Sequence, residues 1–160
     1  MGHWTAGHMT TEDNQEFYRD IDDISYSRIL ELSKQGDNYA KHKEFAKAID
    51  TYYDALDLVP EPSEVYKATN WLLNAIAESY LLSGDYKNAR IVINQAMRCA
   101  GGIGNPFSHL ILGQAQFELG DLDRAKDNLA LAYMGGGKEI FEGDNPKYYE
   151  YLKTLMRDID

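Results

Sequence analysis

A chain of 160 residues and 18.2 kDa has room for one ordinary domain and none for a large two-domain enzyme. Apolar residues make up 44% and charged residues 26%, which excludes wholesale disorder, and no run approaches the roughly 20 apolar residues that span a bilayer. Lys and Arg number 16 against 26 Asp and Glu, a net charge of −10 that repels phosphate backbones and anionic lipid, so neither nucleic acid nor a membrane is an expected partner.

Residues 1–8, ahead of Met9, read as a leader before a natural start, and their His3, Trp4 and His8 carry no inference. The N-terminus lacks the continuous apolar run of a signal peptide, and the single cysteine, Cys99, cannot close an internal disulfide; a reducing cytoplasm is the expected compartment. From Thr11 to Ile24, six acidic residues face Arg19 alone, so residues 1–24 are expected to be a leader and solvated acidic arm, set apart from a folded unit over 25–160.

From Ser25 onward apolar residues recur at three-to-four spacing and no stretch sustains a strand's alternation: the fold class is all-α. The breaks at Lys43-Glu44, Pro60-Glu61-Pro62, Gly84-Asp85, Gly101 to Asn105, Gly120-Asp121 and Gly135 to Gly137 divide the chain into helices predicted at 25–41, 45–59, 63–83, 86–99, 106–119 and 122–134. In Asn105-Pro106 and Asn145-Pro146 the proline suits a first helical position and the Asn suits the cap, so helices should begin there. A seventh helix, about 146–158, carries Tyr148, Leu152 and Leu155 on one stripe and is expected to cap the stack.

Aligning Tyr39, Ala48, Tyr52, Ala55 and Pro60 with Tyr80, Gly84, Ala89, Ile93 and Ala96, and with Gly113, Gly120, Ala125, Leu129 and Ala132, exposes an internal repeat. Ala48 to Ala89 spans 41 residues and Ala89 to Ala125 spans 36, near the period of about 34 of a tetratricopeptide repeat, with an insertion from Pro60 to Asn70 lengthening the first interval. Here the sequence resembles the tetratricopeptide family, and the resemblance implies an α-solenoid of three helix pairs with a C-terminal cap. The small residues Gly36, Ala77 and Gly113 on the first helices and Ala48, Ala89 and Ala125 on the second let paired helices approach, while Tyr39, Tyr80, Tyr52, Ile93 and Leu129 fill the space beside them. Gly84-Asp85-Tyr86 and Gly120-Asp121-Leu122 read as glycine C-caps followed by aspartate N-caps. The first repeat departs with Lys43-Glu44-Phe45, and the third with Gln116 where an aromatic is expected, beside Phe117.

No constellation carries chemistry. Gly135-Gly136-Gly137-Lys138 misses a phosphate loop twice, having Ala132 where the first glycine belongs and Glu139 where Ser or Thr must follow the lysine; a helix end is the better reading. His42 and His109 stand apart from any ligand set, the acidic arm lacks the glycine of a calcium loop, and Cys99, with no base near it in sequence, reads as a small buried hydrophobe. Neither a metal, a cofactor nor a catalytic residue is expected, and the chain is not read as an enzyme.

The resemblance implies a concave groove lined by the first helices, placing Ser33, Asp37 and Ala40, then Trp71, Asn74, Glu78 and Leu81, then Phe107, Leu110, Gln114, Phe117 and Glu118 on its inward stripe. From these, Asp37, Trp71, Asn74, Glu78, Phe107, Gln114, Phe117 and Glu118 are the candidate partner-binding residues. Chaperone adaptors of the family grip a peptide's terminal carboxylate with Lys, Arg and Asn, whereas the corresponding positions here hold Ser33, Asp37, Asn74, Phe107 and Ile111. The run from Cys99 to Phe107 and the tail from Ala132 to Tyr148, with its Met-Gly-Gly-Gly-Lys and Gly-Asp-Asn-Pro, further resemble small bacterial tetratricopeptide proteins encoded beside Rhs-type polymorphic toxins. That resemblance implies an immunity protein that binds and neutralises a basic toxin domain; the alternative is an adaptor or secretion chaperone holding an extended client peptide. Terminal helices of repeat stacks sometimes pair, which leaves a homodimer open.

Overall fold

The computed structural model describes residues 21–157, so the leader and nearly all of the acidic arm lie outside the described residues. Within them the chain forms seven α-helices and no strand: α1 (Asp23–Lys41), α2 (Phe45–Leu56), α3 (Lys67–Leu82), α4 (Tyr86–Met97), α5 (Pro106–Glu118), α6 (Leu122–Gly136) and α7 (Lys147–Lys153), with 3₁₀ turns at Ser63–Val65 and Lys138–Phe141. Successive helices pack in antiparallel pairs, α1 with α2, α3 with α4 and α5 with α6, and each pair stacks on the next.

The small residues set the pairing. Gly36 faces the ring of Tyr52, and a Cβ built on it would lie 2.5 Å from Tyr52 Cε1; Gly113 stands in the same relation to Leu129, whose Cγ would be 2.8 Å away. Opposite them Ala48, Ala89 and Ala125 are fully buried, so the helix backbones meet over residues that carry almost no side chain. A core running from Ile29 through Trp71, Leu72, Ile76 and Ile93 to Ala115 joins the first two repeats to α5, and a second cluster built on Leu110, Leu129, Ala132, Ile140, Phe141, Tyr149 and Leu152 closes the C-terminal end. Neither cluster is contained in one pair, which is why the repeats must fold together.

The helix starts are largely as expected and the turns hold a surprise. Asp22 Oδ1 accepts from the Ser25 amide at 2.9 Å, starting α1 two residues before Ser25. Asp85 caps α4 through the Asn88 amide, but Asp121 makes no capping bond to α6 and instead pairs with Arg124, correcting the matched-cap reading of the two turns. Lys43 takes the left-handed conformation at φ 61°, where Gly84 and Gly120 have φ 86° and 81°, so all three repeats make the same turn although the first lacks the glycine.

Several helices end short of their sequence patterns, α2 at Leu56 and α4 at Met97 among them, and two depart furthest. The predicted helix 63–83 is a 3₁₀ turn over Ser63–Val65, then an extended Tyr66, then α3 from Lys67. The Ala100 amide donates to the Glu64 carbonyl at 2.9 Å, tying this insertion to the loop after α4, and that tie replaces a further helical turn. The capping helix expected at 146–158 spans only Lys147–Lys153; Tyr148 and Leu152 are buried as the stripe requires, but Leu155 lies beyond the helix and is exposed. Asn145 does act at its start, Oδ1 accepting from the Lys147 amide at 3.0 Å. The glycine run is a helix end: α6 continues through Gly135 and Gly136 and stops at Gly137, φ 70°.

Candidate functional site

The inward stripes of α1, α3 and α5 bring one row of equivalent positions together: Asp37, Glu78 and Gln114, each immediately after the small residue that seats its helix on its pair. Asp37 Oδ1 accepts from the Tyr52 hydroxyl at 2.6 Å, so the ring that Gly36 admits also reaches across to orient the neighbouring carboxylate. Burial first, and then the Asp37 charge, push the Tyr52 hydroxyl far above its ordinary pKa, which keeps it a donor. Gln114 is 4% exposed, and its Nε2 donates to Asp144 Oδ2 at 2.7 Å, bringing into the groove an aspartate from the loop ahead of α7.

Between these two lies Glu78. As a residue it is half-buried, yet the surroundings of its carboxyl penalise charge strongly: desolvation first, then Asp144 and Asp37, push its pKa up to about 8. Carboxylates from three parts of the chain thus act on one another along this row.

Asn74 serves another purpose. It is fully buried, donates from Nδ2 to the Asn70 carbonyl at 2.8 Å and accepts from the Ser108 hydroxyl at 2.7 Å, while Asn70 donates to the Ala96 carbonyl at 2.7 Å. This polar chain spaces α3 from α4 and α5 under the groove floor. Trp71 is 3% exposed and belongs to the main core, and Ser33 returns its hydroxyl to the Ile29 carbonyl. Phe107 is half-buried and lines a recess of about 280 Å³ with Gly136, Glu139 and Ile140, at the far side of α5.

The third repeat's end of the stripe is covered by the chain itself. Phe117 meets the rings of Tyr148 and Tyr151 edge-on, with centroids 5.5 and 5.1 Å away. Glu118 accepts from the Tyr148 hydroxyl at 2.8 Å and forms an ion pair with Lys147. Burial works to raise the Glu118 pKa, but hydrogen bonds from Lys147 and Tyr148 outweigh it and hold the carboxyl below its ordinary value. Of the eight candidate residues, the structure brings Asp37, Glu78 and Gln114 together, places Trp71 and Asn74 beneath them, and sets Phe107, Phe117 and Glu118 against the C-terminal segments.

Asp144 and Tyr52 were missed as groove residues. Gly143-Asp144-Asn145-Pro146 signals a turn, but nothing local says that its aspartate reaches Gln114, 30 residues earlier. Elsewhere His42 Nδ1 contacts the Asn38 carbonyl and His109 Nδ1 contacts Asn128 Oδ1, both as packing contacts. Cys99 is half-buried, not fully buried as expected; burial and then Glu64 raise its thiol pKa. Among the described residues no group of His, Cys, Asp or Glu is arranged to hold a metal ion, and no helix is long and apolar enough to cross a membrane.

This architecture is the tetratricopeptide-repeat fold, an all-α solenoid. It superposes on the first such domain of human RPAP3 with a TM-score of 0.60 at 22% identity, covering 80% of this chain and 89% of that one. The first repeat domain of Spaghetti (RPAP3) bound to the HSP90 peptide SRMEEVD gives 0.62 at 21% identity over 84% and 93% of the two chains, and the Sgt2 domain from Aspergillus fumigatus gives 0.61 at 24% over 84% and 78%. No family model matches the sequence, and no curated protein matches it significantly.

Proposed function

We propose that this chain is a non-enzymatic protein-interaction module that holds an extended segment of a partner protein along its concave face. The fold supports a protein partner, since neighbours of the same architecture are solved with HSP90 and HSP70 peptides. The observation that carries the reading is the row Asp37, Glu78 and Gln114, backed by a rigid polar floor of Asn70, Asn74 and Ser108. The acidic peptides of those neighbours are not its expected ligands, because Asp37, Glu78 and Asp144 on this face would repel like charge.

The adaptor reading takes precedence over the immunity reading. A second reading, an immunity protein occluding a basic toxin domain, rests on the tail's likeness to toxin-associated repeat proteins and on the same acidic groove. Selection from a random-peptide library, followed by calorimetry with the purified chain, separates them. The adaptor reading expects linear peptides that bind one site. Binding by a folded basic domain, with no linear segment retaining affinity, favours the second; no binding by either kind of ligand overturns both.

A further inference from the structure

The recess at the end of the last repeat lies apart from the row of Asp37, Glu78 and Gln114. Phe107 from the first turn of α5, Gly136 at the end of α6, and Glu139 and Ile140 from the 3₁₀ turn that follows line its volume of about 280 Å³. An apolar cavity of about 150 Å³ already takes a ligand the size of benzene, so there is room for one long side chain. Glycine keeps the space open at one wall, where a Cβ on Gly136 would lie 2.7 Å from Ile140 Cδ1. Ile140, 4% exposed, and the half-buried Phe107 root the recess in the C-terminal core.

The polar groups gathered here are acceptors. Among the described residues no backbone donor meets the last carbonyls of α6, those of Met134, Gly135 and Gly136, because the Gly137 amide closes on Tyr133 and the Ile140 amide on Gly137. The Glu139 carboxylate folds back over that helix end, so that a Cβ built on Gly137 would lie 2.7 Å from Glu139 Oε2. Among the described residues no cation pairs with it, and the adjacent Lys138 sets its Nζ over the Tyr149 ring instead, 5.7 Å from the centroid.

A helix C-terminus, a carboxylate and an aromatic ring around an apolar hollow suit a cation carried on an apolar stem. Arginine meets these demands better than lysine: its flat guanidinium stacks on a ring while its fixed donors reach several acceptors at once, whereas an ammonium is compact and more strongly hydrated. The chain's net charge of −10 favours the same sign of partner. We propose that this recess is a second contact point of the module, a socket for one arginine side chain of a protein partner. The guanidinium lies between the Phe107 ring and the Glu139 carboxylate, and its methylenes cover Ile140. The socket does not depend on what occupies the concave face.

The test titrates the whole chain, carrying isoleucine methyl and backbone amide labels, with N-acetyl-arginine N-methylamide and with the corresponding citrulline compound, which has nearly the same shape and no charge. The arginine amide is expected to shift the Ile140 δ1 methyl and the Gly136 amide saturably, and the citrulline amide to bind about fivefold more weakly. Glu139→Gln should weaken the arginine amide by a similar factor and erase its advantage over citrulline. Phe107→Leu, which keeps an apolar lining without the ring, should cost about threefold. Glu142→Gln, the same charge change at an exposed neighbour, should leave affinity within about twofold, with far-UV circular dichroism confirming the fold of each variant. Absence of a saturable shift at Ile140, or equal affinity for the two amides, would overturn the socket. Equal losses in Glu139→Gln and Glu142→Gln would replace it with diffuse attraction.

Discussion

Gly36 and Tyr52 are a matched pair: the missing side chain of one is the space occupied by the ring of the other, and the same ring's hydroxyl fixes Asp37 one residue further along α1. Packing and site geometry therefore share one contact. Gly36→Ala should destabilise the chain by about 1–3 kcal/mol, because the ring cannot move aside without losing its place between α1 and α2. Denaturant midpoints measure this, and an unchanged midpoint would show that the helices separate freely.

The three inter-helix turns make an opposite prediction for Lys43. It holds a left-handed backbone at φ 61° that its counterparts fill with glycine. Lys43→Gly should stabilise the chain by about 0.5–1 kcal/mol, less the entropy that glycine adds to the unfolded state. Gly84→Ala, at φ 86° with nothing within 4 Å of the new Cβ, should cost about 1 kcal/mol from backbone strain alone. Thermal melts of the two variants should move in opposite directions.

Glu78 predicts a pH dependence of stability. Its folded pKa of about 8 lies above the unfolded value, so the native state binds more protons than the unfolded state between the two, and stability falls as pH rises from about 4.5 to about 8. Glu78→Gln should lack this decline, making the variant increasingly more stable than wild type toward pH 8. Parallel urea titrations of both proteins across that range provide the check; curves that keep a constant separation would contradict the assignment.

The C-terminal helix is short but should matter. Tyr148→Ala removes the edge-on partner of Phe117 and the donor to Glu118, and should cost about 3 kcal/mol, whereas Lys147→Ala, losing a largely surface ion pair, should cost about 0–1 kcal/mol. Limited proteolysis should cut the Tyr148 variant first after Gly137. Similar stability in both variants would mean that α7 caps nothing.

Much of the fold was legible because its contacts are between residues whose type encodes the contact. Glycine and alanine at Gly36, Gly113, Ala48, Ala89 and Ala125 can be read as close approach since no other residue fits there. The turn at Lys43 was not legible: its conformation is imposed by the helix pairing on either side, against the residue's own preference. The start of α3 at Lys67 was misplaced because the segment before it bonds to a distant loop, as the Ala100 amide does to Glu64, whereas α7 ends at Lys153 in a tightened last turn where Leu155 bonds back to Leu152. The groove was legible where it followed the repeat register, at Asp37, Glu78 and Gln114. It was not where Tyr52 and Asp144 enter it, the first from a helix expected only to pack and the second from a loop with no periodicity. Phe117 and Glu118 follow the same register, but the register alone could not show that α7 would meet them.

The most direct measurement is amide chemical-shift mapping of the isotopically labelled chain during titration with a linear segment selected for binding. The account predicts perturbations concentrated at Ser33, Asp37, Asn74, Glu78 and Gln114, spreading to Asp144. Shifts confined to the outer helices, around Ile91 on α4 and Leu131 on α6, would contradict it.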